Sequence, residues 1–146
     1  MKQGLFPLPA PIGYLDRGKG KPKEIDPVTG PLVRYAFERY ATGTIGLKDL
    51  RGEMDRCGLR SRMTGRTLSL CGISTMLRNP FYTGTIYIKR TNETFAGVHA
   101  PLIPKKLFDR VQAVLDGKYI LRTQKHEYPF RRLIRCEGCG YHLIGE

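Results

Sequence analysis

The sequence predicts an α+β fold: a mainly helical domain with a helix-turn-helix-like unit and a small antiparallel β-hairpin. Three observations carry that prediction. Apolar residues recur at three- and four-residue intervals in four separate stretches, the period of helices that bury one face. Beyond Asn79-Pro80 the period changes to two over "GTIYIKR" and "TFAGVHAPLI", which is strand patterning. The closing "RCEGCGYHLIGE" sets Cys136 and Cys139 in a C-x-x-C-G arrangement, the start of a small metal-binding module. The 146 residues suffice for one ordinary core plus a satellite. The expected division is a main domain over 1–117, a linker over 118–128, and the first half of the second module over 129–146.

Taken in order, "PAPIGYLDRGKGKPKEIDP" reads as a short strand at Ile12 to Leu15, a basic Gly/Lys turn and a second extended piece at Lys23 to Ile25. Asp26-Pro27 then opens a helix. Asp26 offers its carboxylate as the N-cap acceptor, and Pro27 takes the first position, where its missing N–H costs nothing. Val28, Leu32, Val33, Ala36, Phe37 and Tyr40 form the apolar stripe, and Gly43 is placed to end the helix. With Gly30-Pro31 in the first turn, regular helix is allowed to begin as late as Pro31. The second helix lies in "TIGLKDLRGEMDRCGL", with Thr44 as N-cap, Leu47, Leu50, Met54 and Cys57 inward, and Gly58 as its end.

"RSRMTGRT" has no periodicity and reads as a basic loop. The third helix is "LSLCGISTMLRN", with Leu70, Ile73, Met76 and Leu77 inward and Cys71, Ser74, Thr75 and Arg78 on the other face. It must stop before Pro80, because proline disfavours helix at the preceding residue. The two strands are joined by the polar "RTNE" turn. A fourth helix starts at Pro104 and buries Leu107, Phe108, Val111, Val114 and Leu115.

Charge bounds the function. Twenty-five Lys and Arg against thirteen Asp and Glu leave a net charge of +12, and the sequence pI is about 9.8. An excess of that size favours a polyanionic partner, of which nucleic acid is the commonest. No stretch approaches the roughly 20 apolar residues of a membrane span. Prolines break "MKQGLFPLPAPIGY" before any apolar run develops, so no secretory signal is expected. Two isolated cysteines and one pair at metal spacing argue for a reducing cytoplasm rather than a disulfide framework.

The second and third helices, with their basic loop, form the candidate reading unit. In a helix-turn-helix the second helix enters the major groove while the first braces the backbone. Arg60, Arg62 and Arg66 precede the candidate reading helix, and Lys89 and Arg90 cap the hairpin, where mobile cations suit phosphate contacts. Ser74 and Thr75 read equally as base contacts or as solvent-facing residues; Arg78 suits a guanine or a phosphate. Cys57 is expected to be a buried helix-end residue and Cys71 a small neutral one. Cys136 and Cys139 are the expected metal ligands, two thiolates able to share one tetrahedral zinc. His142 is read as a strand-start residue rather than a third ligand, and His99 and His126 are assigned no chemistry. No activated serine, carboxylate pair or phosphate-cradling glycine loop appears, so the chemistry is binding rather than catalysis.

The order of motifs resembles the large serine recombinases, the family of phage integrases and transposon resolvases. "PAPIGY" is similar to the opening P-x-G-Y of their recombinase domain, and "VRYAFERYATG" to its first long helix. "LRGEMDRCGL" resembles I-A-x-x-L-N-x-x-G-I, with Arg51 in place of a small residue. "ISTMLRNPFYTG" is similar to V-x-x-I-L-x-N-P-x-Y-x-G, the most specific match. "HAPLIPKKLFDRVQAVL" resembles H-x-x-I-I-x-x-x-x-F-x-x-V-Q-x-x-L, and "LIRCEGCG" the first knuckle of a zinc ribbon. Leu68 stands where the family often has an aromatic.

The resemblance implies a recombinase domain over 1–117 and a zinc-ribbon start over 129–146, with zinc held in the parent protein. It implies that the chain reads duplex attachment-site DNA, beside other recombinase subunits. The serine that attacks the DNA backbone would lie in a preceding domain, so this chain alone is not expected to be an enzyme. The alternative reading is a helix-turn-helix or zinc-ribbon regulator that binds DNA or RNA. A third is an interaction domain whose hairpin docks another subunit.

Overall fold

A computed structural model describes residues 8–18, 21–62, 64–88 and 92–117. Strands β1 (Tyr14–Leu15) and β2 (Glu24–Ile25) pair antiparallel, with Tyr14 opposite Ile25. They lead into helices α1 (Thr29–Ala41), α2 (Leu47–Arg56) and α3 (Leu70–Leu77). A 3₁₀ turn over Pro80–Thr83 follows, then β3 (Thr85–Ile88) paired antiparallel with β4 (Glu93–Ala96), then helix α4 (Lys105–Leu115). The α+β expectation holds over these residues.

The helices form where the periodicity put them. In α1, Val33, Ala36, Phe37, Tyr40 and Ala41 are buried at helical spacing. Val28, not Asp26, stands at the N-cap of α1 and makes no side-chain cap bond; Asp26 braces the turn that precedes the helix. Its carboxylate accepts from the Val28 N–H at 2.9 Å and the Thr29 hydroxyl at 2.6 Å, and its carbonyl from the Gly30 N–H at 2.8 Å. Gly43 closes α1 at φ +71, a left-handed position that glycine takes without strain. Gly58 ends α2 in the same way.

Other expectations fail. Val28, placed on the apolar stripe of α1, precedes the helix and is exposed. Thr44 does not cap α2: its hydroxyl pairs with that of Thr42, and the helix begins after Gly46. Cys57 is exposed, because α2 has already ended when the chain reaches it. Leu70 is exposed rather than inward; the chain buries Leu68 instead, just before Ser69 caps α3 by accepting from the Gly72 N–H. The second strand stops at Ala96 instead of running to Ile103. A Cβ on Gly97 would lie 2.3 Å from the His99 ring, so this residue lets the chain fold His99 inward.

The core sits between α1 and the other elements, with α1 packed most extensively on α4 and also on α2, and α2 on α3. The 3₁₀ turn ties distant segments to it. The Tyr82 hydroxyl donates to the Ile12 carbonyl at 2.8 Å, and the Tyr82 carbonyl accepts from Leu102 and Ile103. The His99 ring stacks on Phe81 with centroids 3.7 Å apart, and its Nε2 bonds the Phe81 carbonyl at 2.7 Å. His99 is therefore a core residue.

Candidate nucleic-acid interface

Helices α2 and α3 are held from several sides. Arg39 of α1 grips Glu53 of α2 with both ends of its guanidinium, at 3.2 Å each. Leu50 and Met54 anchor α2, and Ile73, Met76 and Leu77 anchor α3. From α4, Gln112 donates its amide to the Leu77 carbonyl at 2.8 Å and satisfies an otherwise free helix end. The link between the two helices, residues 57–69, exceeds the three or four residues of a tight helix-turn-helix, and order in it comes from a clamp.

Leu59 and Leu68 are buried at its two ends. Between them Arg60 and Thr67 form an antiparallel bridge, the Ser61 N–H donates to the Arg66 carbonyl at 2.8 Å, and the Gly65 N–H to the Ser61 carbonyl at 2.7 Å. Gly65 takes φ +64 to close that turn. Asp55, in the last turn of α2, accepts from the Thr67 hydroxyl at 2.7 Å and is ion-paired with Arg60. Arg60 also donates to the Thr67 oxygen at 3.2 Å. One carboxylate thus holds both sides of the loop base.

The three loop arginines therefore have different surroundings. Arg60 is committed to Asp55. Arg62 turns back to the N-terminal strand, donating to the Tyr14 carbonyl at 3.2 Å. Its charge also helps hold the Asp26 carboxyl below the ordinary range, after the larger effects of the Thr29 hydroxyl and the Val28 N–H. Arg66 is exposed, its peptide closes the turn, and its guanidinium has no partner among the described residues.

On α3, Cys71, Thr75 and Arg78 form an exposed strip at helical spacing, while Ser74 is half-buried. Arg78 lies at the far end of the eight-residue helix from the loop, about 12 Å along its axis, where its Nη1 is 3.5 Å from Asp116. The structure thus brings Arg60 and Arg66 together on one closed loop and sets Thr75 on the adjoining helix. It does not bring Arg62 or Arg78 to that loop's free side. Lys89, Arg90, Cys136 and Cys139 lie outside the described residues, as do the linker over 118–128 and the module over 129–146.

Sequence reasoning missed Asp55 and Thr67, whose partners are five and twelve positions away. One signal was available. From Arg56 to Asn92 the chain has no Asp or Glu, while Arg56, Arg60, Arg62, Arg66, Arg78, Lys89 and Arg90 are basic. Asp55 is the last acid before that stretch. Among the described residues no group of three or more His, Cys, Asp or Glu is gathered for a metal, and no helix is long and apolar enough to cross a membrane.

Comparison with known proteins bears on the family and the fold. The Recombinase family model matches residues 27–118, a span that takes in α1 to α4. No curated protein matches. Two solved structures share the fold, each at 20% identity, with a TM-score of 0.64 and coverage of 97% of this chain. One comes from work on the sequence requirements of the Listeria innocua prophage attP site, the other is a crystal structure of an LSR–DNA complex (LSR, large serine recombinase). The chain spans 59% and 45% of their respective lengths. On that match over most of its length, the chain belongs to the Recombinase family.

Proposed function

We propose that this chain is a DNA-reading part of a site-specific serine recombinase and binds duplex attachment-site DNA. The observation that carries the reading is the acid-free basic stretch from Arg56 to Asn92, which holds the whole connection between α2 and α3 and the exposed strip of α3. Phosphates need exposed cations that are not already neutralised, and base edges need short polar side chains on a groove-sized element. Arg66 supplies the first, and Thr75 beside Cys71 the second. Lys89 and Arg90 are proposed as further backbone contacts, and Ser74 and Arg78 as secondary members of the reading face.

The reaction itself would belong to a serine on another domain of the parent protein, in a synapse of several subunits. Cys136 and Cys139 would supply two thiolates to a structural zinc, whose remaining ligands must come from elsewhere. Zinc would order the second module.

The test is binding of the chain to a pool of duplex DNA with a randomised core, followed by sequencing of the bound fraction. Enrichment of a defined motif at moderate salt supports the reading. Equal retention of all duplexes, or tighter binding to a single-stranded pool, refutes it.

A further inference from the structure

We propose that Asp55 is a positioning residue for sequence reading: it fixes the loop between Arg60 and Thr67 and leaves Arg66 as that loop's phosphate contact. The proposal rests on the duplex-binding reading above. Asp55 stands where an acid is out of place. In the last turn of a helix it faces the negative end of the helix dipole, where a cation is favoured. It also borders a basic stretch whose expected partner is a polyanion. Asp55 is unfavourable on both counts, so its retention in the fold needs a local gain.

That gain is geometric. The Asp55–Arg60 pair is exposed on both sides, 42% and 44%, and such pairs contribute little by themselves. The same carboxylate also binds Thr67 on the returning side of the loop, and Arg60 reaches the same Thr67 oxygen. Three side chains therefore lock the loop base, just above the buried Leu59 and Leu68. The returning strand runs through Leu68 to Ser69, the cap of α3, so the loop and the start of the reading helix are held in one frame. A loop held in its bound shape before it meets DNA loses less freedom on binding. The clamp also divides the arginines. Arg60 is neutralised, Arg62 is bonded to the N-terminal strand, and Arg66 alone of the three is left to meet a phosphate.

The experiment uses the full chain and the randomised duplex pool, with D55N, T67V, T67S, R62Q and R66Q compared with the wild type. D55N removes the ion pair with Arg60 while its amide oxygen can still accept from Thr67, and T67V removes the hydroxyl; each should flatten the enriched motif. The ratio of binding to the best over the average duplex should fall at least about fivefold, the lower end of what one base contact contributes. T67S keeps the hydroxyl and should keep the motif. The salt slope on a random duplex should drop by about 0.9 in R66Q, the share of a single neutralised phosphate, and stay unchanged in R62Q.

D55N removes a negative charge. If Asp55 acted only through that charge, D55N would bind every duplex more tightly with its motif intact, and the proposal would be overturned. Equal slope losses in R62Q and R66Q would overturn the division of the arginines. Far-UV circular dichroism identifies a variant that fails to fold, and the T67V and T67S pair then decides the matter. A wild-type chain without any motif would refute duplex reading itself, an outcome distinct from a wild-type motif that D55N and T67V leave unaltered.

Discussion

Replacing Tyr82 with Phe removes one oxygen and tests how the domain holds its N-terminal segment against the turn after α3. The Tyr82 ring is buried, with 1% of its surface exposed. Burial pushes its hydroxyl far above the ordinary phenol range, and the nearby Tyr14 adds to the shift. That hydroxyl donates to the Ile12 carbonyl at 2.8 Å, across 70 positions of sequence. Phe keeps the ring contacts with Phe37 and Tyr14, so almost no cavity opens. The loss is one hydrogen bond, a net contribution of about 0.5–1.5 kcal/mol, plus the cost of an orphaned carbonyl, about 1–3 kcal/mol when wholly cut off from water.

Ile12 is only half-buried, so water reaches part of its carbonyl, and the sum is about 1–2 kcal/mol. With a urea m-value of about 2 kcal/mol per molar, the midpoint should fall by about 0.5–1 M with the slope unchanged. Urea titration followed by far-UV circular dichroism measures both quantities. A shift below about 0.3 kcal/mol, within the scatter of ordinary surface changes, would mean that this bond does not hold the segment. Tyr14→Phe deletes the comparable bond to the Ala100 carbonyl, also 2.8 Å, from a hydroxyl that burial raises to about 12. The two rings lie 6.0 Å apart, so the double variant should depart from the sum of the singles.

Three further outcomes follow from the same packing and charge pairs. Burial holds His99 below its ordinary value of 6.5, against a smaller opposing effect of the Phe81 carbonyl. The unfolded chain therefore binds the proton first, stability is complete above pH 6.5, and it should decline as the pH falls below that value; H99Q should lose this dependence in urea titrations across pH 5–7. Asp16 is lowered to about 2 by Lys23 and by the Gly18 and Ala10 N–H groups, so its contribution is complete above 3.8 and lost as the pH falls through about 2. D16N should flatten acid unfolding in that window alone. Asp116 sits 3.5 Å from Arg78 in an exposed pair, so D116N should tighten DNA binding by up to about fivefold at low salt. No change in affinity would remove Arg78 from the interface.

What was legible in the sequence was whatever depends on near neighbours. The stripe Val33, Ala36, Phe37 and Tyr40 and the ending glycines follow from backbone geometry and local burial, and α1 lies where they put it. The change of period after Pro80 likewise foretold β3 and β4. Two of the failures have a cause that lies outside the local sequence. Leu68 against Leu70, and the strand that stops at Gly97, are decided by which residue meets a partner far along the chain, and no period in the sequence records that. The candidate site divides in the same way. Three arginines in one loop were visible as charge, but only the fold distinguishes Arg60 beside Asp55 and Arg62 beside Tyr14 from Arg66.

That distinction changes how a basic chain should be read. A net charge of +12 says that a polyanion will be attracted, and attraction at long range depends on the sum. Contact depends on the cations left over after the fold has used the others. Arg17 is paired with Glu24, Lys23 with Asp16, Arg34 with Glu38, Arg39 with Glu53, Arg60 with Asp55 and Arg78 with Asp116. Among these, Lys23 is all but inaccessible, with 4% of its side chain exposed, and it holds the β1–β2 turn rather than a ligand. Each acid therefore subtracts from the interface at a definite place. Among the described residues of the acid-free stretch between Arg56 and Asn92, Arg60 is ion-paired with Asp55 at its border and Arg78 with Asp116 at the end of α4. The number of phosphates the main domain contacts should accordingly follow the unpaired cations of that stretch, with Arg66 first, and not the charge of the whole chain.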